Sequence, residues 1–570
     1  MNRPFQVKIL RQTLLFLAVF AIGACGDNSV ETPVEAVTAT STEAAVAMPD
    51  TFSAAVASQI LEAGGNAVDA AIASSFALAV TEPEAGNIGG GGFMLIWIDG
   101  EAEFLDYRET APLAAYRDMY LDEQGNVIEG STRYGHLAAG VPGAVAGMWA
   151  AHQRHGTLPW SDLVTPAVEL ARDGFVVPEH LAGIGATGLA KFEGKSNFGA
   201  YFSGLKAGKL FKQPELAETL QRIADDGVDG FYKGETADII VADMERNDGL
   251  ISHDDLVRYQ AIWREPLRGK WRDYDVLSAP PPSSGGFAVI QLLRIKDFLA
   301  HEFEGVQHNS PQYIHLVAEI EKRVFADRAE YLGDPDYVDV PMDRLISDEY
   351  MRARAQEIDA EYISTLEGVG PGLESMDTTH YSIVDKQGNA VANTTTLNLT
   401  FGSGVVVEGA GFILNDEMDD FSAKPGVPNA YGVVGNTANE IQPGKRMLSS
   451  MSPTMLLRDG EVQLVVGTPG GSTIFTSVFQ TIVNILDFGM TPEEAVGATR
   501  FHHQLLPPDL ITYSPSRPLP DEIISQLSDK GYRAEPHTYR FGDVQVIVRG
   551  DEGWDAASDP RHRGESRVIE

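Results

Sequence analysis

Two strand-like runs that follow Thr378 set the first limit on how this 570-residue chain folds. The runs are Tyr381–Asp385 and Ala390–Thr396, and Gln387-Gly388-Asn389 between them is typical of a hairpin turn. A hairpin needs further strands beside it, and we expect these strands to come from before Thr378. The regions on the two sides of Thr378 are therefore predicted to form one fold together.

Thr378 also lies where a self-cleaving chain would carry its nucleophile. Cleavage between Asp377 and Thr378 would give the threonine a free α-amine, so that its hydroxyl and a general base would share one residue. An α-amino group has a pKa of about 7.7–8.0 in model peptides, which suits a base near neutral pH. The alternative is that the Thr378-Thr379 pair only reflects the preference of threonine for strands.

The remaining patterns predict a layered α+β protein in which helices cover the faces of strands. Small and apolar residues over 52–80 are interrupted at Gly64-Gly65-Asn66, which predicts two buried helices joined by a turn. Further helices are expected at Trp160–Arg172, Glu215–Ala224, Tyr313–Tyr331 and Pro492–Thr499. Further strands are expected at Phe93–Ile98, Val405–Leu414, Ser452–Leu457, Val462–Val466 and Val544–Val548.

The charge of the chain excludes some classes of partner. Its 81 acidic and 43 basic residues give a formal net charge of −38, so nucleic acid and anionic lipid surfaces would repel it. This acidity is interpreted as a solubility feature. It says little about a small substrate, because one arginine can dominate the local potential.

The first 25 residues predict an export signal. A basic start precedes the apolar run Thr13–Ala24, which is too short for a bilayer span of about 20 residues. Cys25 is the only cysteine of the chain, and Ile22-Gly23-Ala24-Cys25 resembles a bacterial lipobox, in which the cysteine becomes the lipidated first residue of the mature protein. The alternative is an ordinary signal peptide that ends near a chance cysteine.

Residues 26–47 show no helical or strand period and are predicted to be a flexible tether. Gly26 rather than aspartate follows Cys25, which favours the outer membrane as the destination of a lipoprotein. We therefore expect an exported protein at the periplasmic face of a bacterial envelope, anchored by lipid at Cys25. The mature chain would have neither a disulfide nor a thiol nucleophile.

The chain carries no pattern of a nucleotide or metal site. Neither Gly86–Gly92 nor Gly467–Thr473 has the Lys-Ser/Thr pair of a phosphate-binding loop. The 13 histidines include no pair at metal-ligand spacing, and His502-His503 is interpreted as structural. We expect no metal and no cofactor.

An ordered series of short motifs runs from about residue 48 to Arg561. After residue 377 the motifs are Thr378-Thr379-His380-Tyr381-Ser382-Ile383-Val384-Asp385, Thr396-Leu397-Asn398, Asn415-Asp416-Glu417-Met418-Asp419-Asp420-Phe421-Ser422, Pro443-Gly444-Lys445-Arg446-Met447-Leu448-Ser449-Ser450-Met451-Ser452-Pro453 and Gly467-Thr468-Pro469-Gly470-Gly471-Ser472. Before it they are Gly64-Gly65-Asn66-Ala67-Val68-Asp69-Ala70-Ala71, Gly89–Phe93, Asp106-Tyr107-Arg108-Glu109-Thr110-Ala111-Pro112 and Gly140-Val141-Pro142-Gly143. Together they closely resemble the γ-glutamyltranspeptidases, which are N-terminal-nucleophile hydrolases.

The resemblance implies the fold and the division of the chain. It implies an αββα sandwich, in which two stacked antiparallel sheets lie between helical layers. The large subunit would be residues 48–377 and the small subunit residues 378–570, cut from one precursor between Asp377 and Thr378. The two subunits would fold as one unit and remain a heterodimer.

The resemblance also implies the catalytic groups. Thr378 would be the nucleophile, and Thr396 would orient its hydroxyl. Gly470 and Gly471 would form the oxyanion hole, in which the loss of one donor typically costs about 10²–10³ in rate. Taken by themselves, Thr396 also fits a solvent-facing strand threonine and the glycines fit a simple turn.

A γ-glutamyl group carries an α-carboxylate and an α-ammonium, so its pocket needs both signs of charge. By resemblance, Arg108 would hold the carboxylate, since a guanidinium binds it in a bidentate manner. The remaining substrate-binding groups would be Ser449 and Ser450 for the carboxylate, and Asn398, Glu417 and Asp420 for the ammonium. Some bacterial relatives have glutamine in place of Glu417. Tyr431 would belong to a lid over the site, which would shield the acyl-enzyme from water.

The expected reaction transfers a γ-glutamyl group from glutathione or another γ-glutamyl compound to Thr378. Water, an amino acid or a dipeptide amine would then accept the group. Two alternatives remain open: a cephalosporin or glutaryl acylase of the same superfamily, and a non-catalytic surface lipoprotein that keeps the fold for binding.

We predict that Cys25→Ala abolishes labelling of the protein by a radioactive fatty acid, because the cysteine supplies the acylated sulfur. The variant is expected to leave the membrane fraction of cells, with the wild-type protein as the reference. A Cys25→Ala protein that stays bound to the membrane contradicts the anchor.

Overall fold

The computed structural model describes residues 37–41, 44–365, 378–424, 437–561 and 563–570. These residues belong to one compact unit, Glu35–Glu570. The strands are β1 (Val37–Ser41), β2 (Ala44–Met48), β3 (Gly91–Ile98), β4 (Glu101–Asp106), β5 (Phe175–Val176), β6 (Leu210–Phe211), β7 (Ile262–Arg264), β8 (Leu267–Trp271), β9 (Tyr274–Ser278), β10 (Thr378–Val384), β11 (Ala390–Thr396), β12 (Thr454–Arg458), β13 (Glu461–Gly467), β14 (Phe501–His502), β15 (Leu510–Tyr513), β16 (Arg533–Pro536), β17 (Gln545–Arg549), β18 (Trp554–Ser558) and β19 (Glu565–Ile569).

The helices are α1 (Thr51–Glu62), α2 (Ala67–Thr81), α3 (Ala144–His155), α4 (Trp160–Asp173), α5 (Glu179–Lys191), α6 (Phe198–Phe202), α7 (Pro214–Asp226), α8 (Asp229–Tyr232), α9 (Gly234–Arg246), α10 (His253–Arg258), α11 (Gly285–Phe298), α12 (Ala300–Phe303), α13 (Pro311–Tyr331), α14 (Met342–Leu345), α15 (Asp348–Gln356), α16 (Thr473–Leu486), α17 (Pro492–Gly497) and α18 (Asp521–Asp529). The helices predicted within 52–80, 160–172, 215–224, 313–331 and 492–499 all correspond to observed helices.

Two seven-stranded sheets stack face to face. Sheet A has the strand order β1-β18-β17-β13-β12-β9-β8, and sheet B has the order β19-β2-β10-β11-β3-β4-β7. All neighbouring strands in both sheets are antiparallel. Because β10 pairs with β2, and β11 with β3, strands from both sides of Thr378 form one sheet.

Apolar side chains fill the spaces between these layers. Phe93 and Leu95 of sheet B meet Met455 and Ile547 of sheet A between the two sheets. Helices α1 and α2 pack on the outer face of sheet B, with α4 against α2 and α7 against α4. Helices α11 and α16 pack on the outer face of sheet A, with α13 against α11. The order of layers is helix, sheet, sheet, helix, which confirms the expected αββα sandwich.

The turn between α1 and α2 shows how local sequence builds one of these layers. Gly64 adopts φ +90°, a conformation that favours glycine, and so lets the chain reverse after α1. Asn66 caps α2: its side chain accepts from the backbone N–H groups of Val68 and Asp69, while Asp69 accepts from the Asn66 N–H. A short polar motif therefore separates two almost wholly apolar helices.

Two expectations about local structure were wrong. Val405–Leu414 is not a strand but an irregular loop with a single bridge between Val406 and Ile413, since Gly409 and Gly411 both adopt positive φ. The tether expected over 26–47 was wrong where the structure describes this stretch, because Val37–Ser41 and Ala44–Met48 are strands. All residues of β2 are buried, so the strand lacks the alternation that would have revealed it.

Candidate active site

Thr378 and Thr396 face each other across the centre of sheet B. Thr378 is the first residue of β10, and its direct partner in the antiparallel register is Thr396, the last residue of β11. The Thr378 hydroxyl donates to Thr396 Oγ1 at 3.4 Å, and the backbone N–H of Asn398 donates to the same oxygen at 2.8 Å. Both threonines are buried, which argues against the solvent-facing alternative for Thr396.

A small cavity opens beside this pair. Its lining comes from segments far apart in the sequence: Arg108, Thr378, Thr396, Asn398, Glu417, Asp420, Ser449, Ser450, Met451, Gly471 and Ile474. The structure thus gathers around one cavity all the predicted catalytic and substrate-binding residues except Gly470.

Arg108 is already paired with carboxylates in the wall of this cavity. Its Nη1 lies 2.7 Å from Glu417 Oε2, and its Nη2 donates to Asp420 Oδ2 at 2.5 Å. The carbonyl oxygens of Met447 and Leu448 accept weaker bonds at 3.5 Å. The guanidinium is almost wholly buried, so these groups replace the water that it has lost.

More acids than one arginine can neutralise surround Arg108. Glu109 Oε2 lies 3.6 Å from Arg108 Nη1, and both Glu109 and Glu417 are wholly buried. Burial raises the pKa of Glu109 to about 8, although Arg108 opposes the shift. Burial likewise raises the pKa of Glu417 well above its usual value, again against Arg108. A protonated Glu417 has the shape and neutrality of a glutamine side chain.

The other predicted binding residues are held by their own backbone contacts. Asn398 adopts φ +77° just after β11, and its Nδ2 donates to the carbonyl of Asp416 at 2.9 Å. Ser449 Oγ accepts from the backbone N–H of Met451 at 3.1 Å, and Ser450 Oγ lies 3.5 Å from Ser284 Oγ.

Gly470 and Gly471 form the turn between β13 and α16. Their φ angles are +133° and +55°, and a Cβ on Gly470 would lie 2.4 Å from Thr473 Oγ1, so the turn requires glycine there. Within the described ranges, neither glycine N–H donates to a protein acceptor. Gly471 lines the cavity with Thr378, and the positive end of α16 lies at the same place. The two N–H groups are therefore available to a developing negative charge.

Comparison with known proteins identifies this arrangement. The family model described as gamma-glutamyltranspeptidase matches residues 53–569. The glutathione hydrolase proenzyme of Pseudomonas aeruginosa is 58% identical over 525 residues, which are 92% of this chain and 94% of that protein. The chain belongs to the γ-glutamyltranspeptidase family.

Solved structures agree with this assignment. A cephalosporin acylase from Bacillus halodurans aligns with a TM-score of 0.82 and 26% identity, over 96% of this chain and all (100%) of that one. A γ-glutamyltranspeptidase from Pseudomonas nitroreducens, solved in complex with L-DON, is 56% identical with a TM-score of 0.56, over 56% of this chain and 96% of that one. The fold is that of the N-terminal-nucleophile hydrolases.

A second cavity lies on the other side of Thr378, with Gly470 in its wall. Sequence reasoning missed its charged lining, which comprises Glu82, Glu84, His180, Arg540, Asp543 and Arg563. The Arg563 Nη2 lies 3.1 Å from Glu84 Oε1, and the Thr379 hydroxyl donates to Glu82 Oε2 at 2.7 Å. No short motif joins these residues, so no local signal could have grouped them.

Sequence reasoning also missed Arg328, a buried residue of α13. Its Nε donates to Ser284 Oγ at 2.9 Å. Burial lowers the pKa of Arg328 to about 10, and the charge of Asp420 opposes this shift. Arg328 is therefore a second cation on the Asp420 side of the site. The sequence signal that could have pointed to Arg328 was the number of charged residues on α13, because a helix with many charges usually lies at the surface.

Three predicted positions, Cys25, Asp377 and Tyr431, lie outside the described residues. Within the described ranges, no helix is long and apolar enough to cross a membrane, and no group of three or more His, Cys, Asp or Glu side chains is arranged to hold a metal ion. His502 and His503 are both buried, as expected for structural residues.

We predict that Glu109→Gln makes stability less dependent on pH. A carboxyl whose folded pKa is raised stabilises the fold fully below its unfolded value of 4.5 and loses that contribution as pH rises through about 8. The variant lacks this titration. Between pH 4.5 and about 8, the free energy of unfolding of the variant minus that of the wild type should therefore rise by up to about 1.4 kcal/mol per pH unit. Urea unfolding at several pH values measures the difference, with the exposed Glu123→Gln as control. A difference that stays constant from pH 5 to 8 contradicts the prediction.

Proposed function

We propose that this chain is a self-processing γ-glutamyltranspeptidase and glutathione hydrolase with Thr378 as its nucleophile. One observation carries the proposal: the Thr378 hydroxyl lies in the wall of a cavity that also holds Arg108, Asp420 and Gly471. Family membership supports the proposal, and the P. aeruginosa relative, which is named a proenzyme, supports maturation by cleavage.

Self-cleavage would begin with attack of Thr378 Oγ on the carbonyl carbon of Asp377. The peptide C–N bond breaks, the chain is joined briefly through an ester, and water hydrolyses this ester. The products are a large subunit that ends at Asp377 and a small subunit that begins with the free amine of Thr378. The pairing of β10 and β11 with β2 and β3 keeps the subunits together as a heterodimer, because sheet B contains strands of both.

The catalytic cycle would then use the new amine as general base. The amine takes the hydroxyl proton of Thr378 as Oγ attacks the γ-carbonyl of the donor, and the proton passes to the departing amine. For glutathione the departing amine is cysteinylglycine. The N–H groups of Gly470 and Gly471 stabilise the oxyanion, and Thr396 holds the attacking oxygen in place. Water or an acceptor amine then releases the γ-glutamyl group, without a metal or cofactor.

The charges around Arg108 suit a zwitterionic donor. The α-carboxylate of a γ-glutamyl group can replace the carboxylate of Asp420 on the guanidinium, and the α-ammonium can then pair with Asp420 and Glu417. Ser449, Ser450 and Asn398 line the same cavity and add polar contacts. The exchange leaves no buried charge alone, because the donor brings one charge of each sign.

The second cavity suits the leaving group and the acceptor. It lies across Thr378 from the Arg108 cavity, so the bond that is cut would lie between the two. Its walls carry both arginines and carboxylates, which can bind the carboxylate and the amine of an amino acid or dipeptide. We therefore propose such acceptors. Tyr431 would cover the Arg108 cavity as part of a lid.

We further propose that the protein is exported and anchored by lipid at Cys25, at the periplasmic face of the outer membrane. The basic start, the short apolar run and the single cysteine at its end support this location.

A cephalosporin or glutaryl acylase is the second candidate, and the whole-length similarity to a solved cephalosporin acylase favours it. Its substrates lack an α-ammonium, however, so they would bring no cation to the carboxylate of Asp420 that they displace from Arg108. A non-catalytic lipoprotein is disfavoured, because it has no need of the contact between Thr378 and Thr396 or of the free glycine N–H groups.

We predict that Thr378→Ala remains one uncut chain and does not hydrolyse a γ-glutamyl anilide, because it lacks the attacking oxygen. A denaturing gel and release of the aniline measure the two outcomes. Thr165→Ala is the control and should still be cut and active, since Thr165 is exposed on α4, lines neither cavity and donates to the Ser161 carbonyl. Two subunits and full turnover from Thr378→Ala overturn the mechanism.

We also predict that kcat/KM for a γ-glutamyl anilide exceeds that for a glutaryl anilide by a factor on the order of 10⁴, since the glutaryl compound has no ammonium for the Asp420 carboxylate that it displaces from Arg108. Asp420→Asn removes this carboxylate and should lower the ratio of the two kcat/KM values. A ratio near one in the wild type identifies an acylase instead.

A further inference from the structure

His502 lies within hydrogen-bonding distance of the helix that carries the oxyanion turn. Its Nδ1 is 3.1 Å from the hydroxyl of Thr476, in the first turn of α16, and its Nε2 is 2.9 Å from Gln504 Oε1. The amide oxygen of Gln504 can only accept, so the ring N–H lies on Nε2. Burial lowers the pKa of His502 to about 3, and the ring is therefore neutral at working pH.

Gln504 joins this histidine to the glycine turn itself. Its Oε1 also accepts from the hydroxyl of Ser472 at 2.8 Å, and Ser472 directly follows Gly471. One amide oxygen thus binds two donors, one from the turn and one from His502. Gln504 and His502 are both buried, so water does not compete for these hydrogen bonds.

Thr473 and Thr476 complete the network along the helix. The Thr473 hydroxyl donates to the carbonyl of Gly470 at 2.7 Å, and the Thr476 hydroxyl lies 3.0 Å from the carbonyl of Thr473. The contacts run from Gly470 through the first turn of α16 to His502, and return through Gln504 to Ser472. They surround the two glycines that line the cavities beside Thr378.

A turn made of two glycines needs such support. Glycine permits the φ angles of +133° and +55°, but it has no side chain that packs and holds the backbone in place. Oxyanion donors are effective only when their direction is set before the reaction, and an error of about 1 Å can cost about 10² in rate.

We propose that His502 and Gln504 are positioning residues of the oxyanion hole, which hold the N–H groups of Gly470 and Gly471 toward the oxyanion formed on attack by Thr378. This inference rests on the proposed function. It assigns a role in turnover to His502, which the sequence pattern marked only as structural.

His503 provides a matched control within the same pair. It is as buried as His502, but its Nδ1 accepts from the Leu505 N–H at 3.0 Å and its Nε2 lies 3.1 Å from the carbonyl of Pro508. These bonds hold the loop after β14 and do not reach the glycine turn. Removal of either ring breaks two buried hydrogen bonds, so the effects on stability should be similar.

The experiment compares His502→Leu with His503→Leu in the mature, cut enzyme. Steady-state kinetics with a γ-glutamyl anilide give kcat per cut chain and KM, and thermal unfolding gives Tm. We expect His502→Leu to lower kcat by about tenfold to hundredfold, with KM changed by less than about threefold. His503→Leu should lower Tm by a similar amount and leave kcat within about twofold of the wild type.

A conservative variant separates positioning from packing. His502→Gln can still place an N–H near Gln504 Oε1 and should recover much of the lost kcat. If His502→Leu is not cut, Thr476→Val, which removes only the hydroxyl next to Nδ1, supplies the comparison and should lower kcat without changing KM.

The inference is overturned if His502→Leu, or Thr476→Val in its place, keeps wild-type kcat, or if His503→Leu lowers kcat equally at the same loss of Tm. Thr378→Ala, assayed in parallel, keeps the two proposals apart. If Thr378→Ala is inactive and His502→Leu is fully active, only the positioning role is contradicted. If Thr378→Ala is active, the proposed function is contradicted.

Discussion

The contact between Thr378 and Thr396 at the centre of sheet B is the one on which the site depends. The two residues are direct partners in an antiparallel register, and every residue of β10 and β11 is buried. A shift of one residue would turn all the side chains of a strand to the opposite face, so the packing on both faces of the sheet holds this register. The direction of the Thr378 hydroxyl is therefore a property of the whole sandwich and not of a flexible loop.

The electrostatics of the site follow from an excess of buried acid. Arg108 contacts Glu417 and Asp420 and has Glu109 nearby, while Arg328 approaches from α13. Carboxyl groups in such surroundings remain stable by keeping protons, as the raised pKa values of Glu109 and Glu417 show. The cavity beside Arg108 therefore suits a zwitterionic donor, because one ion pair within the protein can be exchanged for two ion pairs with the donor. The overall acidity of the chain plays no part in this proposed binding.

The same structure shows where prediction from sequence succeeds. The break at Gly64-Gly65-Asn66 predicted two helices correctly, because capping and positive φ act within a few residues. Prediction failed for Val405–Leu414, where glycines with positive φ interrupt an apolar run, and for β2, where burial of both faces removes the alternation. The lining of the second cavity was missed altogether, because Glu82 and Arg563 come together only through tertiary packing.

The sequence by itself determined the family, the αββα sandwich and the residues around Arg108, because ordered motifs with narrow chemical requirements cover nearly the whole chain. Only the tertiary structure decided how those groups meet: the 3.4 Å contact of the two threonine hydroxyls, the pairing of Arg108 with its acids, and the link from His502 to the glycine turn. The physical reason is that residue type sets which interactions are possible, whereas distance, burial and the resulting protonation arise only when remote segments pack together.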